Sequence, residues 1–393
     1  MKRQAIVVGA GPAGATAAFY LARAGIDVVM LDKESWPRDK PCGDGLRAPI
    51  WNLYKDMGVW DEVLEYSTPS KGVLLGAPNQ TTIKLYGDVS PLCGPRRLID
   101  HIVAKAAERE GAEFVQNFEV TELIIKRGFV KGVVGVYQGK LTKIESDVVV
   151  VADGSHSRLS HQLGLYNEDP DLVFYGARGY FEDIDEMTDL IEFFYNDMFY
   201  PTGYMWVFPM SKTKGNVGAF ITEGALQRSG MRLEDLFGWW RDNTELGHKR
   251  LHKARLIGEL KGWRLPACWG PRDNYANGAL VAGDAGNMIE AAFGGGQDLA
   301  MLAGKDAAEV IVEALKTGDV SAKALSVYKD KLIKSQKEIY DGFNIARKLM
   351  FSDPNDLCEF VRLFKDRAES GELDYAQAVK QWVGIKMKAM QSK

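Results

Sequence analysis

The sequence has few cysteines and no long apolar run. Its four cysteines, at positions 42, 93, 268 and 358, are far apart and form no Cys-x-x-Cys pair, which argues against a zinc site or a disulfide framework. No segment reaches the roughly 18 consecutive apolar residues of a membrane span. The first residues lead directly into a predicted strand, with no room for a signal peptide. We therefore expect a cytoplasmic protein in a reducing compartment.

An excess of positive charge is also missing. The formal net charge is −4 and the basic residues are dispersed, so we do not expect nucleic acid as a partner, and no cluster predicts a metal. We find neither an internal repeat nor a low-complexity tract. With 393 residues, of which 46% are hydrophobic, the chain is long enough for two or three structural units.

The most informative segment is the N-terminal run that ends at Asp32. A β-branched stretch enters a turn with glycines at positions 9, 11 and 14, a helix of small residues follows, and a second apolar strand ends on the acid. Gly9 permits the tight turn, Gly11 lets the backbone approach a pyrophosphate, and Gly14 lets the helix pack closely on the strand. Asp32 is placed to accept from ribose hydroxyls. The pattern predicts a dinucleotide site at the helix N-terminus.

The rest of the chain predicts a discontinuous nucleotide domain. Four consecutive valines, 148 to 151, indicate a strand buried on both faces, and the run 278–284 returns to that pattern after a block of alternating strands. The predicted units are a nucleotide-binding domain (1–72, 94–165 and 276–316), an antiparallel-sheet substrate domain (73–93 and 166–275) and a C-terminal helical region (317–393).

Four motifs occur in order over roughly the first 300 residues, and together they resemble the flavin-dependent oxidoreductases of the p-hydroxybenzoate hydroxylase fold. The motifs are Gly9-x-Gly11-x-x-Gly14 with Asp32, Arg97-x-x-Asp100, Asp153-Gly154 with Ser157-Arg158, and Gly283-Asp284 with Gly294-x-Gly296. The resemblance implies an α/β fold: a Rossmann-like FAD-binding domain with an inserted antiparallel β-sheet and a C-terminal helical segment. It also implies non-covalently bound FAD.

Within this group the sequence is similar to geranylgeranyl reductases and related prenyl reductases, including those that saturate menaquinone side chains. The similarity rests on Pro41-Cys42-Gly43-Asp44-Gly45-Leu46, and on Tyr204-Met-Trp206-Val-Phe208-Pro209 followed by Gly215-Asn-Val-Gly218. In that family the first segment lies beside the flavin and the second forms the wall of a prenyl cavity. The sequence departs from the family at Glu290-Ala291, which stands where an Asn-Pro pair is usual and adds a carboxylate.

The resemblance implies three sets of site residues. The candidate cofactor contacts are Gly9, Gly11, Pro12, Ala13, Gly14, Asp32, Lys33, Cys42, Gly43, Arg97, Asp153, Gly154, Gly283, Asp284, Gly294, Gly295 and Gly296. The candidate substrate contacts are Gly45, Tyr204, Trp206, Phe208, Pro209 and Phe293. The candidate catalytic residues are Cys42, Tyr204 and Glu290. Arg97 would pair with the pyrophosphate, Asp153 would lie beside it, and Asp284 would hold ribityl or pyrophosphate oxygens.

Several of these residues have a second interpretation. Tyr204, Trp206 and Phe208 lie on one face of a strand by period two, and such a stripe forms either a core or a cavity wall. Cys42 is either a small loop residue or a residue with a chemical role. We expect Arg47, Arg96 and His156 to be solvated.

The predicted function is reduction of isolated double bonds in a prenyl chain, geranylgeranyl or polyprenyl-quinone. A hydride from flavin N5 reaches such an alkene only if a proton is delivered to the other carbon, so an acid must lie nearby. Cys42, Tyr204, Glu290 and a bound water are the candidates. No second glycine motif marks a nicotinamide domain, so NADPH, NADH and a donor protein such as ferredoxin are all compatible. The alternatives are an FAD-dependent monooxygenase or halogenase-like enzyme, and a non-catalytic flavin- or lipid-binding protein.

The C-terminal segment predicts an amphipathic helix from Tyr375. Its apolar residues, Tyr375, Val379, Trp382, Val383 and Met387, fall at helical spacing, and its charged side chains are all lysines. One interpretation is a peripheral contact with anionic lipid. The other is a helix that packs on the substrate domain.

Overall fold

The computed structural model describes residues 2–87, 91–166, 169–199, 203–350 and 353–391. The strands are β1 (Lys2–Val8), β2 (Val28–Leu31), β3 (Gly45–Leu46), β4 (Thr68–Pro69), β5 (Gly72–Gly76), β6 (Thr82–Tyr86), β7 (Leu92–Cys93), β8 (Glu113–Val115), β9 (Phe118–Lys126), β10 (Phe129–Tyr137), β11 (Lys140–Val151), β12 (Val173–Glu182), β13 (Ile191–Phe194), β14 (Gly203–Pro209), β15 (Gly215–Thr222), β16 (Arg255–Pro266), β17 (Tyr275–Ala276) and β18 (Ala279–Val281).

The helices are α1 (Pro12–Arg23), α2 (Trp51–Asp56), α3 (Trp60–Glu65), α4 (Arg96–Glu110), α5 (Arg158–Gln162), α6 (Glu223–Ser229), α7 (Asp235–Asn243), α8 (Glu245–Leu251), α9 (Gln297–Thr317), α10 (Ala322–Leu325), α11 (Val327–Met350), α12 (Pro354–Glu369) and α13 (Tyr375–Gln391). The predicted α/β fold is confirmed.

An eight-stranded sheet carries the N-terminal glycine motif. Its main path runs β17-β18-β11-β1-β2-β8, with β10 and β9 added as antiparallel strands beside β11. The central pairs β18–β11, β11–β1 and β1–β2 are parallel, and the four valines at the end of β11 are fully buried. One face of these parallel strands is packed by α1, α4 and α9, and the other by residues of β9, β10 and α5. The run is continuously apolar because both of its faces are buried. The turn after β1 therefore opens at the carboxyl edge of the sheet, where ligands of such folds bind.

A seven-stranded sheet forms the second layer, in the order β16-β12-β15-β14-β13-β5-β6. Most neighbouring strands are antiparallel, as predicted, but β13 pairs with β5 in parallel. The difference arises because β5 and β6 belong to an earlier segment of the chain, which adds to the edge of the sheet beside β13. One face of this sheet is packed by α7 and α8, and the other faces the nucleotide domain and the C-terminal helices.

The two large sheets draw on different parts of the chain. The eight-stranded sheet uses strands from 1–72, 94–165 and the region after 275, and the seven-stranded sheet uses strands from 72–86 and 173–266. A third, small sheet joins β3 and β4 to β7, although β7 lies in a segment assigned to the substrate domain. This sheet brings the loop before β3 close to both domains.

The apolar stripe of α13 faces the protein. Trp382 is 0% exposed, and its Nε1 donates to the carbonyl oxygen of Leu349 at 2.7 Å. Tyr375 and Val383 are half-buried in the same cluster, whereas Met387 is exposed. Trp382 is thus a core residue and not an interfacial one, and this stripe is not free for a membrane. Among the helices of the described segments, none is long and apolar enough to cross a membrane.

We expect Trp382→Ala to lower the free energy of unfolding by about 3–5 kcal/mol, because it empties a large buried volume. The measurement is urea unfolding followed by far-UV circular dichroism. Met387→Ala, on the exposed face of the same helix, is the control and should change stability by no more than about 0.5 kcal/mol. Equal effects of the two substitutions would contradict a core position for Trp382.

Candidate active site

The turn between β1 and α1 is shaped by close backbone contacts. Gly9 has a φ of 94°, and a Cβ there would lie 2.2 Å from the carbonyl oxygen of Ala152. A Cβ on Gly14 would lie 1.8 Å from the carbonyl oxygen of Gly9. At Gly11 the space is open, and the nearest group is the Arg38 guanidinium, 3.6 Å from an added Cβ. The turn therefore leaves room above Gly11 for a ligand phosphate.

The N-terminus of α1 has free donors facing this space. Gly11 is the N-cap and supplies no side-chain cap, so the first-turn N–H groups stay available for an anion. The Asp32 carboxylate accepts hydrogen bonds from the backbone N–H groups of Ala10 at 2.8 Å and Glu34 at 2.9 Å. These bonds hold the turn in place. The residues present fit an FAD pyrophosphate. Binding of the ribose by Asp32 stays a prediction.

The neighbouring residues Arg96 and Arg97 lie in different environments, and pairing of Arg97 with a pyrophosphate stays a prediction. Arg97 is exposed, whereas Arg96 is buried and donates from Nε and Nη2 to Asp100 at 2.6 and 2.8 Å. Burial by itself would raise the pKa of Asp100, but Arg96 and Arg38 together hold that pKa below its ordinary value. The prediction that Arg96 is solvated is wrong, and Arg97 does not line the cavity described below. The i,i+4 spacing of Arg96 and Asp100 was the signal that could have identified the buried arginine.

The loop that follows β2 contributes a thiol and a buried carboxylate. Cys42 is half-buried, and Arg96 lies within hydrogen-bonding reach of it. Asp44 is 1% exposed, and burial raises its pKa to about 6, even though Tyr180 and Asn216 both donate to it. Lys40, in the same loop, pairs with Asp284 at 3.0 Å. The loop thus connects the glycine turn to the substrate sheet.

An aromatic wall faces this loop. Tyr204, Trp206 and Phe208 project from β14 as predicted, and each is less than 10% exposed. Phe193 on β13 and Phe220 on β15 extend the wall, with ring centroids 5.1 and 5.4 Å from that of Tyr204. The wall and the loop enclose a cavity of about 220 Å³.

A glycine turn closes the cavity on the third side. Gly294 has a φ of 71°, and a Cβ on it would lie 2.6 Å from the Phe220 ring, so only glycine fits. Glu290 lies behind this turn, and its two carboxylate oxygens accept from the backbone N–H groups of Ala292, Phe293 and Gly295 at 2.9–3.0 Å. Burial raises the pKa of Glu290 to about 7, against the effect of Arg47 and these donors. Glu290 therefore holds the turn and does not line the cavity.

Arg47 is paired rather than solvated, which corrects the prediction. Its Nη2 lies 2.6 Å from Asp298 Oδ1, and its Nη1 lies 3.6 Å from Glu290 Oε1. The guanidinium also stacks over the Phe343 ring at 4.5 Å. Arg47 thus places a positive charge in the cavity lining, and the carboxylates of Asp298 and Glu290 compensate that charge.

The loop after β11 meets the edge of the substrate sheet. Gly154 has a φ of 89°, and burial raises the pKa of Asp153. Trp263 on β16 donates from Nε1 to Ser155 Oγ at 2.6 Å, and its ring contacts His156 edge-on. His156 is exposed, as expected.

The predicted residues divide into those that line the cavity and those that surround it. The lining includes Pro12, Cys42, Gly43, Gly45, Tyr204, Trp206, Phe208, Asp284, Phe293, Gly294, Gly295 and Gly296. Outside the lining are Gly9, Gly11, Ala13, Gly14, Asp32, Lys33, Arg97, Asp153, Gly154, Pro209, Gly283 and Glu290. Sequence reasoning did not identify Lys40, Arg178, Phe193, Phe220, Trp263 and Asp298.

Comparisons with known proteins identify the family of the chain. A model of the FAD binding domain matches residues 2–196, and a model of the geranylgeranyl reductase catalytic domain matches residues 175–251. Digeranylgeranylglycerophospholipid reductase 2 of Methanopyrus kandleri is 30% identical over 335 residues, which cover 84% of this chain and 82% of that protein. Digeranylgeranylglycerophospholipid reductase of Methanothrix thermoacetophila is 29% identical over an alignment that covers 93% of this chain and 89% of that protein.

Two solved structures share the fold. A geranylgeranyl bacteriochlorophyll reductase-like protein from Thermoplasma acidophilum superposes with a TM-score of 0.84 at 22% identity, covering 97% of this chain and 98% of that one. A flavin-dependent brominase superposes with a TM-score of 0.77 at 18% identity and covers 100% of both chains. At these identities the likeness concerns the fold alone.

We expect Arg96→Met to weaken FAD binding by about tenfold or more, equivalent to about 1.4 kcal/mol, because it removes the group that anchors Asp100 and contacts Cys42. The measurement is titration of the apoprotein with FAD, followed by flavin fluorescence. Arg97→Met is the matched control and should change the dissociation constant by less than about twofold. A larger loss of FAD affinity in the Arg97 variant than in the Arg96 variant would support the prediction that Arg97 pairs with the pyrophosphate.

Glu290 should make stability depend on pH. Its pKa of about 7 in the folded protein exceeds the value of about 4.3 in an unfolded chain, so the folded state holds this proton more tightly. This contribution to stability is complete below about pH 4 and is lost as pH rises to about 7. Gln does not titrate, so the Glu290→Gln variant does not lose this contribution. As pH rises from 4 to 8, its free energy of unfolding should increase by roughly 3 kcal/mol relative to that of the unsubstituted protein.

The measurement is urea unfolding of both proteins across this pH range. Loss of the carboxylate's hydrogen bonds adds an offset that does not vary with pH, and the other titrating groups cancel in the difference. A difference in stability that stays constant with pH would refute the assignment.

Proposed function

The chain belongs to the geranylgeranyl reductase family of FAD-dependent oxidoreductases, and on this premise we propose that it saturates isolated double bonds of a prenyl chain held against the aromatic wall. FAD, when bound and reduced, supplies the hydride for such a reaction. The chain's own residues then have three tasks: to hold the alkene, to exclude water and to deliver a proton. The proposed substrate class is a lipid with geranylgeranyl or polyprenyl-quinone chains.

The observation that supports this best is that the polar atoms of the wall are already paired. The Tyr204 hydroxyl donates to the carbonyl oxygen of Phe293 at 2.5 Å, and Trp206 Nε1 donates to Asn216 Oδ1 at 2.9 Å. Both side chains therefore offer mainly ring carbon to the cavity. An isoprenoid gains about 0.8 kcal/mol for each CH₂ that such a surface buries. A phenolic substrate of a hydroxylase would need a free polar partner for its hydroxyl.

The geometry favours Cys42 as the source of the proton. Cys42 belongs to the cavity lining, and Arg96 lies within hydrogen-bonding reach of its thiol, so a thiolate left after proton transfer from Sγ would face a cation. Tyr204 also lines the cavity, but its proton is engaged by Phe293, which makes it the second candidate. Glu290 lies behind the turn with both oxygens occupied. We propose that Glu290 acts by holding the Phe293 turn.

We expect anaerobic turnover of a geranylgeranyl lipid to add about 2 mass units per double bond, because hydride and proton both end on carbon. The measurement is mass spectrometry of the lipid after incubation with FAD-loaded protein and dithionite, which removes any dependence on the natural electron donor. A strict requirement for oxygen, with a gain of about 16 mass units, would instead support the hydroxylase.

Two cysteine variants serve as controls for this assay. Cys42→Ala should lower the rate by about 10²-fold or more while FAD stays bound, as expected for loss of a general acid. Cys358, half-buried on α12, is the matched cysteine outside the lining, and Cys358→Ala should change the rate by less than about twofold. Equal rates of the two variants would remove Cys42 from the proposed role.

A further inference from the structure

Asn216 is a polar residue in the middle of a buried strand. It lies on β15 with 0% exposure, between Tyr180 on β12 and Phe208 on β14, which are its partners in the sheet. Cross-strand partners point to the same face, so Asn216 shares the face of the aromatic wall. A buried amide at such a position requires partners for its donor and acceptor groups.

The partners of Asn216 define its orientation. Its Oδ1 accepts from Trp206 Nε1 at 2.9 Å, and its Nδ2 donates to the carbonyl oxygen of Cys42 at 2.7 Å and to Asp44 Oδ2 at 2.9 Å. An indole N–H only donates and a carbonyl oxygen only accepts, so an amide is needed in this one orientation. Neither a carboxylate nor an aliphatic side chain of the same size satisfies both ends.

The neighbouring glycine makes room for this contact. Gly218 is two residues further along β15 and lies opposite Trp206 in the sheet. A Cβ on Gly218 would lie 1.9 Å from Cζ2 of the Trp206 indole. The indole therefore lies across the bare backbone at Gly218, with its N–H directed at Asn216. This accounts for Asn216 and Gly218 in the Gly-Asn-x-Gly pattern that follows the aromatic strand.

The other end of the contact is the loop that carries Cys42 and Asp44. Asp44 has a φ of 62°, and its carboxylate also accepts from the Tyr180 hydroxyl at 2.7 Å and from the Arg96 backbone N–H at 3.3 Å. The Cys42 carbonyl oxygen has Asn216 as its donor. Cys42 is thereby connected to the wall through one side chain.

We propose that Asn216 is a positioning residue that fixes the Cys42 thiol relative to the Trp206 face of the cavity. One amide sets both the surface against which the alkene lies and the loop that carries the thiol. In catalysis this positioning would keep the distance between the double bond and the proton source constant. That role rests on the proposed function. The positioning itself concerns the protein alone and can be tested without a prenyl substrate.

The experiment compares the alkylation rates of two cysteines in full-length, FAD-loaded protein. Iodoacetamide labelling is followed by peptide mass spectrometry at Cys42 and at Cys358, the two half-buried cysteines. In Asn216→Leu and Asn216→Asp we expect the ratio of the Cys42 rate to the Cys358 rate to rise about fivefold or more. The first variant loses all three hydrogen bonds, and the second turns a carboxylate toward Asp44 and a carbonyl oxygen.

Val217→Ala is the matched control, because Val217 is a buried neighbour on the same strand that points to the opposite face. It should lower the melting temperature while the ratio of rates stays within twofold of the unsubstituted protein. Trp206→Phe removes the indole N–H together with part of the fused ring and keeps an aromatic side chain on the wall. It should raise the ratio by a smaller factor, which keeps the test open if an Asn216 variant fails to fold. An unchanged ratio in folded Asn216 or Trp206 variants would overturn the proposal, whether or not the prenyl reaction is found.

Discussion

The carboxylate of Asp44 is almost completely removed from water, and the cavity depends on the donors that surround it. They come from three separate elements: the Tyr180 hydroxyl on β12, the Asn216 amide on β15 and the Arg96 backbone at the start of α4. A buried carboxylate that lost one of them would carry an unsatisfied charge, at a cost of about 1–3 kcal/mol or more. Asp44 therefore holds the substrate sheet and the nucleotide domain at a fixed spacing, with the cavity between them.

Three consecutive residues of this loop, shortly before Cys42, extend the same connection by ion pairs. Arg38 reaches Asp100 on α4, Asp39 pairs with Arg178 and Lys261 on the substrate sheet, and Lys40 pairs with Asp284 beyond β18. Consecutive side chains thus contact alternate domains. Exposed ion pairs contribute little to stability, but those to Asp100 and Arg178 are largely buried and are sensitive to small displacements. The loop is consequently part of both domains, although sequence order assigns it to one.

Local patterns in the sequence predicted what depends on local geometry. The turn at Gly9 and Gly14 and the four-valine strand follow from backbone conformation and period, and both were predicted correctly. Arg96 and Arg97 show a limit of such prediction. They are adjacent in sequence, and the position of each on the face of α4 decides which of the two is buried. Asn216 shows a second limit, because its partner Cys42 is 174 residues away in sequence. Only the folded sheet brings them together.

The charges around the cavity bear on what it accepts. Four cations belong to the lining, Lys40, Arg47, Arg96 and Arg178, and each has a carboxylate partner in Asp284, Asp298, Asp100 or Asp39. An anionic substrate that displaced the partner of Arg47 or Arg96 would leave Asp298 or Asp100, both buried, as an unpaired carboxylate. A neutral hydrocarbon requires no exchange. The fold is shared with a brominase, so the distinction cannot come from the sheets. Any distinction must therefore come from side chains. In the part of the chain that the structure describes, the Tyr204 hydroxyl, the Trp206 N–H and the charge of each lining cation have partners within the protein, so the wall presents mainly ring carbon to the cavity.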